Sequence, residues 1–165
     1  MSQTDANPWR PLADAQATQA LGAELTALLR PQHCADPTLH ATSGDPAAIL
    51  LLAGDLGAGK TCLVQGLGRA LGIEEPITSP TFALAQHYRS RDGSAALVHL
   101  DLYRLEQPAA ADELFAQEAE EAAALGALLA VEWPERLSAY PTDAWLLELS
   151  LAGSGRRARL TPPRR

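Results

Sequence analysis

A short apolar run, AAILLLA (47–53), leads straight into GDLGAGKT (54–61), and this junction limits the chain to few folds. Seven apolar residues in a row are too few for a membrane span and show no helical periodicity. Flanked by glycine, they read as a strand buried on both faces, as in a parallel sheet. The segment after it fits G-x-x-x-x-G-K-[ST] at every fixed position, with glycines at 54, 57 and 59, then Lys60 and Thr61. Leu63, Leu67 and Leu71 then repeat every fourth residue, which predicts a helix over 60–71 stopped by Gly72. Strand, glycine loop and helix in that order make a phosphate cradle. Glycines let the backbone turn through positive φ and leave no Cβ between amide and oxygen. The helix start directs free N–H groups and its dipole at an anion.

Lys60 is the single lysine in the chain, whose other basic side chains are all arginine. An ammonium on a flexible stem can reach back over a narrow loop, where a planar guanidinium fork is too broad. The loop therefore makes Asp55, Leu56, Gly57, Ala58, Gly59, Lys60, Thr61 and Cys62 candidate contacts to the phosphates of a nucleoside triphosphate. The Thr61 hydroxyl is placed to hold Mg²⁺. Lys60 is also a catalytic candidate.

The rest of the chain surrounds this unit with mixed elements. Residues 14–30 read as an amphipathic helix with Leu21, Leu25, Leu28 and Leu29 on one face and Asp14 as N-cap. Residues 31–46 are a long loop; His33, Cys34 and His40 within it lack zinc-site spacing. FALAQHY (82–88) and AALVHLDLY (95–103) alternate and are joined through Asp92-Gly93, a hairpin signal. An Ala- and Glu-rich helix is expected over 109–125, a buried strand over 127–133, and an antiparallel pair from AWLLELSL (144–151) and RRARLTP. The expected fold class is α/β: a phosphate-loop mixed sheet with a parallel core, antiparallel hairpins added on both sides, and flanking helices. The expected organisation is a loose lead-in over 1–13, one domain over 14–161 and a basic tail over 162–165.

Asp101 and Glu132 end two of the apolar strands. In an open α/β sheet ligands collect at the carboxyl ends of strands. A carboxylate there can hold Mg²⁺ or orient the attacking water, so both are catalytic candidates. The hydroxyl-rich TSPTF (78–82) reads equally as a loop sensing the terminal phosphate or as an ordinary proline turn. Trp133 reads as a packing residue.

Taken in order, ATQALGAEL, LAGDLGAGKT, GLGRALGI, TSPTFAL, HLDLYRL and VEWPERL resemble the TsaE (YjeE) family of small bacterial phosphate-loop ATPases, over roughly residues 14–160. The resemblance implies a role in synthesis of N6-threonylcarbamoyladenosine at position 37 of tRNA. It implies docking on a TsaD–TsaB heterodimer, with ATP binding and hydrolysis supporting turnover by the transferase. It implies Thr61 and Glu132 as Mg²⁺ ligands, Asp101 as the essential aspartate of the HxDxYR pattern, and Thr18 and Arg156 beside the nucleotide. Departures from the family pattern are Cys62, where a second threonine is common, Thr78 in place of a frequent lysine, the length of the 31–46 loop, and the absence of a glycine in FAQEAEEAAAL.

Other classes fit less well. A guanine-specific Asn-Lys-x-Asp motif cannot exist once the single lysine is in the loop. A small-molecule kinase needs an arginine-rich lid that no run supplies, and a nucleotide-dependent docking module shares part of the TsaE-like reading. A formal net charge of −7 argues against strong tRNA binding by the chain alone, so contact with tRNA is expected only through the partner complex. Two cysteines outside any paired motif, no apolar signal segment and no membrane-length run lead to a cytoplasmic expectation.

Overall fold

The computed structural model describes residues 7–29, 48–80 and 82–164. The loop reading for 31–46, with His33, Cys34 and His40, lies outside the described residues. Among the described residues seven strands form one sheet: β1 (Arg10–Leu12), β2 (Ile49–Ala53), β3 (Ala85–Arg89), β4 (Ala95–Asp101), β5 (Leu128–Glu132), β6 (Trp145–Ala152) and β7 (Gly155–Thr161). Three α-helices accompany it: α1 (Ala15–Leu29), α2 (Lys60–Ala70) and α3 (Pro108–Leu125). The strand order is β1-β7-β6-β2-β5-β4-β3. The four middle strands are parallel, β6 to β2, β2 to β5 and β5 to β4. Antiparallel pairs close each side, β3 on β4 and β7 on β6. This is the parallel core with hairpins on both flanks that the strand patterns predict.

The apolar run behaves as its composition requires. Side chains alternate across a strand, so Leu50 and Leu52 enter the core under α1 and α2, while Ile49 and Leu51 enter the core under α3. All five residues of β2 are buried, as are all five of β5. Leu21, Leu25 and Leu29 of α1 and Leu63 and Leu67 of α2 fill the first core. Leu28, expected on the same stripe, is instead 52% exposed, because α1 packs along one narrow seam.

That seam is set by glycine. A Cβ built on Gly66 would lie 2.0 Å from the carbonyl oxygen of Gln19, and one on Gly22 would lie 2.3 Å from that of Leu63. The two helices therefore touch backbone to backbone, which no larger residue at either position allows. The expected ends of the helices are present. Asp14 Oδ1 accepts from the Ala17 N–H at 2.8 Å, and Gly72, at φ 77°, ends the α2 segment.

One sequence expectation needs correction at the N-terminus. Within the lead-in expected to be loose over 1–13, residues 10–12 form β1 and pair with β7, Arg10 opposite Ala158 and Leu12 opposite Arg156. An edge strand tolerates Pro11, whose missing N–H need not enter a ladder, and Leu12 is buried at 2% exposure. In the expected basic tail, the Arg164 N–H donates to the Thr142 carbonyl at 2.8 Å. The strand expected over 82–88 begins only at Ala85, after Leu84 at φ 62°, and Phe82 is exposed. Among the described residues no helix is long and apolar enough to cross a membrane.

Candidate functional site

The carboxyl ends of β2, β4 and β5 open into one cleft of about 460 Å³. The glycine loop forms its floor. Gly54, Gly57 and Gly59 all have positive φ, at 150°, 80° and 104°. A side chain on Gly54 would strike the Leu149 carbonyl of β6 at 2.4 Å, so this glycine is required by close approach as well as by conformation. The N-cap of α2 is Gly59, which offers no side-chain cap. The first N–H groups of a helix have no intrahelical partners, and the residues that carry them here, Lys60, Thr61 and Cys62, line the cleft.

Lys60 folds back over this loop. Its Nζ donates to the carbonyl of Asp55 at 3.0 Å and to that of Gly54, and lies 4.2 Å from the centre of the Trp133 ring. Trp133 is held at φ 59° just past β5, and its ring packs against Tyr103 at 4.8 Å between centroids. Burial pushes the Lys60 ammonium below the usual lysine range, and the carboxylates of Glu132, Glu135, Asp101 and Asp55 pull it back up. The ammonium is thus desolvated and hydrogen-bonded to neutral carbonyls, for which an ionic acceptor would be a stronger partner.

The two carboxylates stand opposite each other, Asp101 of β4 against Glu132 of β5 in the strand register. Asp101 is fixed at both oxygens: Oδ2 accepts from the Ser79 hydroxyl at 2.9 Å and Oδ1 from the Tyr103 N–H at 2.9 Å. Glu132 Oε1 accepts from the Thr61 hydroxyl at 2.8 Å, and His99 Nε2 lies 2.9 Å from the same oxygen. Both acids are buried, at 8% and 3% exposure.

Arg156 enters from β7. Its Cδ and Nε lie 3.1 Å from where a Cβ on Gly59 would be, so a side chain there would crowd Arg156, and the φ of 104° itself favours glycine. Its Nε is buried with no hydrogen-bond partner among the described residues. An anion over the loop would supply that partner. Cys62 also lines the cleft. Burial raises its thiol pKa, and its Sγ lies 3.4 Å from the Ala15 carbonyl.

Of the residues expected from the sequence, Leu56, Gly57, Gly59, Lys60, Thr61, Cys62, Asp101, Glu132 and Arg156 line the cleft. Three do not. Asp55 contributes its backbone carbonyl to Lys60. Ala58 is fully buried beneath the loop. Thr18 is also fully buried, and its hydroxyl donates to the Asp14 carbonyl within its own helix at 3.1 Å. Its methyl lies 3.5 Å from where a Cβ on Gly59 would be, so Thr18 packs against the loop. Ser79, Leu84, Tyr103, Arg104 and Trp133 complete the lining. His99 escaped the sequence reading. Its two-residue spacing from Asp101 was the available signal, because residues i and i+2 share a strand face.

A mixed α/β sheet carrying a strand–glycine loop–helix unit beneath two strand-end carboxylates defines the class of protein. Within that class the chain belongs to the TsaE family. The family described as "Threonylcarbamoyl adenosine biosynthesis protein TsaE" matches residues 12–159. Among relatives, the "tRNA threonylcarbamoyladenosine biosynthesis protein TsaE" of Nostoc sp. is 43% identical over 119 residues, covering 70% of each chain. Its namesake from Synechocystis sp. is 52% identical over 97 residues, covering 58% of this chain and 59% of that one. The Treponema pallidum protein of the same name is 38% identical, covering 68% and 80%. The crystal structure of Bacillus subtilis YdiB superposes with a TM-score of 0.65 at 24% identity, over 98% of this chain and 88% of that one, and shares the fold.

Proposed function

We propose that the chain binds ATP with Mg²⁺ in this cleft and hydrolyses it while docked on a TsaD–TsaB-type heterodimer, in support of threonylcarbamoyladenosine synthesis on tRNA. The observation that carries the reading is the convergence on one glycine loop of a desolvated lysine, a buried arginine nitrogen with no partner among the described residues, and two fixed carboxylates. The family membership supplies the tRNA-modification context.

Each residue has a defined task in this reading. Lys60 exchanges the carbonyls of Gly54 and Asp55 for phosphate oxygens, a change from neutral to ionic acceptors that strengthens its hydrogen bonds. Arg156 supplies a second cation from the β7 side. The hydroxyl of Thr61 and the carboxylate of Glu132 form an all-oxygen donor set suited to Mg²⁺. The bound cation would neutralise phosphate charge as it builds up. Among the described residues Asp101 accepts one donor at each oxygen, and a carboxylate can accept more, so it can take a hydrogen bond from water and orient it.

The rim of the cleft supports the docking half of the proposal. Leu56, 75% exposed, and Tyr103 both line the cleft, and Phe82 is exposed with the guanidinium of Arg104, another lining residue, 4.9 Å from its ring centre. Large exposed apolar side chains around a ligand mouth suit a partner that senses whether the site is filled. The arginines of β7 are less available for tRNA than their number implies. Arg157 and Arg159 stack on Trp9 at 4.5 and 4.8 Å, and Arg159 also pairs with Glu148.

Asp101→Asn and Glu132→Gln test the assignment, since each keeps size and removes charge. With partners present, ATP hydrolysis by either variant is expected to fall at least tenfold, with a smaller effect on the melting curve. Hydrolysis at the wild-type rate by either variant would remove that residue from the proposed machinery.

A further inference from the structure

His99 is fully buried, at 0% exposure, in a place where an apolar side chain would serve packing alone. The parallel register sets it opposite Ala130 and sets Asp101 opposite Glu132. All four side chains therefore lie on the same face of the sheet. Ala130, directly across from His99, has only a methyl group. The space it leaves lets the imidazole cross diagonally to the next residue on that face, where Nε2 comes within 2.9 Å of Glu132 Oε1. The other ring nitrogen, Nδ1, is buried and has no partner among the described residues. The Nε2–H tautomer follows. A proton on Nδ1 would bury an unpartnered donor and aim a lone pair at a carboxylate oxygen.

We propose that His99 is a positioning residue that fixes the Glu132 carboxylate for the cation held with Thr61, an inference that rests on the nucleotide reading above. Glu132 Oε1 has two restraints in this structure, the Thr61 hydroxyl at 2.8 Å and His99. A cation would take a lone pair of the Thr61 hydroxyl and leave its O–H able to donate, so Thr61 can restrain the same oxygen with the site filled. His99 is the second restraint, and it reaches Glu132 from strand β4 and not from the glycine loop, so it fixes the carboxylate independently of what Thr61 holds. Partners of this kind set the orientation of a metal-ligating group, and their loss typically costs about 10–100-fold in metal affinity.

His99→Gln and His99→Met form the test pair. The two replacements have similar size and flexibility, and only glutamine can donate from the position of Nε2. The readout is the Mg²⁺ concentration that gives half of the ATP-dependent rise in melting temperature. His99→Met is expected to raise this concentration about tenfold or more, and His99→Gln to keep it within about threefold of wild type. A merely structural His99 would lower the melting temperature of both variants without ligand and leave the Mg²⁺ midpoint where it is in wild type. That result, or equal midpoints for Gln and Met, would overturn the proposal. A wild-type protein that shows no Mg²⁺-dependent response to ATP at all would overturn the nucleotide reading, and this inference with it.

Discussion

Lys60→Ala removes the rise in melting temperature that ATP with Mg²⁺ is expected to give the wild-type protein. At a nucleotide concentration 100 times its dissociation constant, that stabilisation is about 2.7 kcal/mol. The expected loss is nearly complete because the ammonium is the main side-chain cation over the loop, within reach of the Gly54 and Asp55 carbonyls. Without nucleotide the variant should melt close to wild type. Burial lowers the Lys60 pKa, so the charged form at neutral pH is disfavoured by folding, and this penalty disappears only as pH rises through the lysine range. Removing the charge therefore takes little away from the empty protein, whereas a bound phosphate makes the same charge favourable. Thermal melts with and without ATP separate these effects. Equal ligand-induced shifts for variant and wild type would contradict the assignment of Lys60.

The second large effect lies far from any charge. Gly66→Val puts a branched side chain where even a Cβ would come within 2.0 Å of the Gln19 carbonyl oxygen and 2.7 Å of its carbon. Both are atoms of helix α1, and neither can rotate away as a flexible side chain would. The helices must separate, opening the core formed by Leu21, Leu25, Leu63 and Leu67. The cost should reach the upper end of the overpacking range, about 3 kcal/mol, or roughly 10 °C in Tm for a chain of this size. Thermal denaturation of the nucleotide-free protein checks it. A Tm within a degree or so of wild type would mean that the helices do not meet backbone to backbone.

These two residues also mark how far the sequence could be read. The Lys60 environment was legible because the loop, the preceding strand and the following helix are contiguous, so local spacing alone fixes their relation. The mixed sheet was legible for a similar reason: uninterrupted apolar runs mark strands buried on both faces, and alternation with a turn signal marks hairpins. Gly66 and Gly22 gave no such signal. A glycine inside a helix reads as a local weakness until the opposing helix is known, and α1 and α2 are separated by the long 31–46 segment. Strand β1 was missed because Arg10–Leu12 is short and contains proline; its pairing with β7 joins opposite ends of the chain. Thr18 illustrates a different limit. A sequence pattern can bring a residue near the loop, but the rotamer that turns its hydroxyl to Asp14 is set by its own helix. The link from His99 to Glu132 depends on the parallel register of β4 and β5 and on the small size of Ala130, neither of which a linear pattern displays.

The central claim joins the cleft to a partner, and the initial rate of ATP hydrolysis tests it most directly, measured with the chain alone and after addition of a matching TsaD–TsaB pair. The proposed function predicts slow hydrolysis alone, a rise of about tenfold or more with the pair, and no rise when the chain carries Lys60→Ala. A rate that is the same with and without the pair would contradict the claim and describe an ATPase that works on its own. Absence of hydrolysis under both conditions would contradict it more deeply, leaving the cleft without its proposed chemistry.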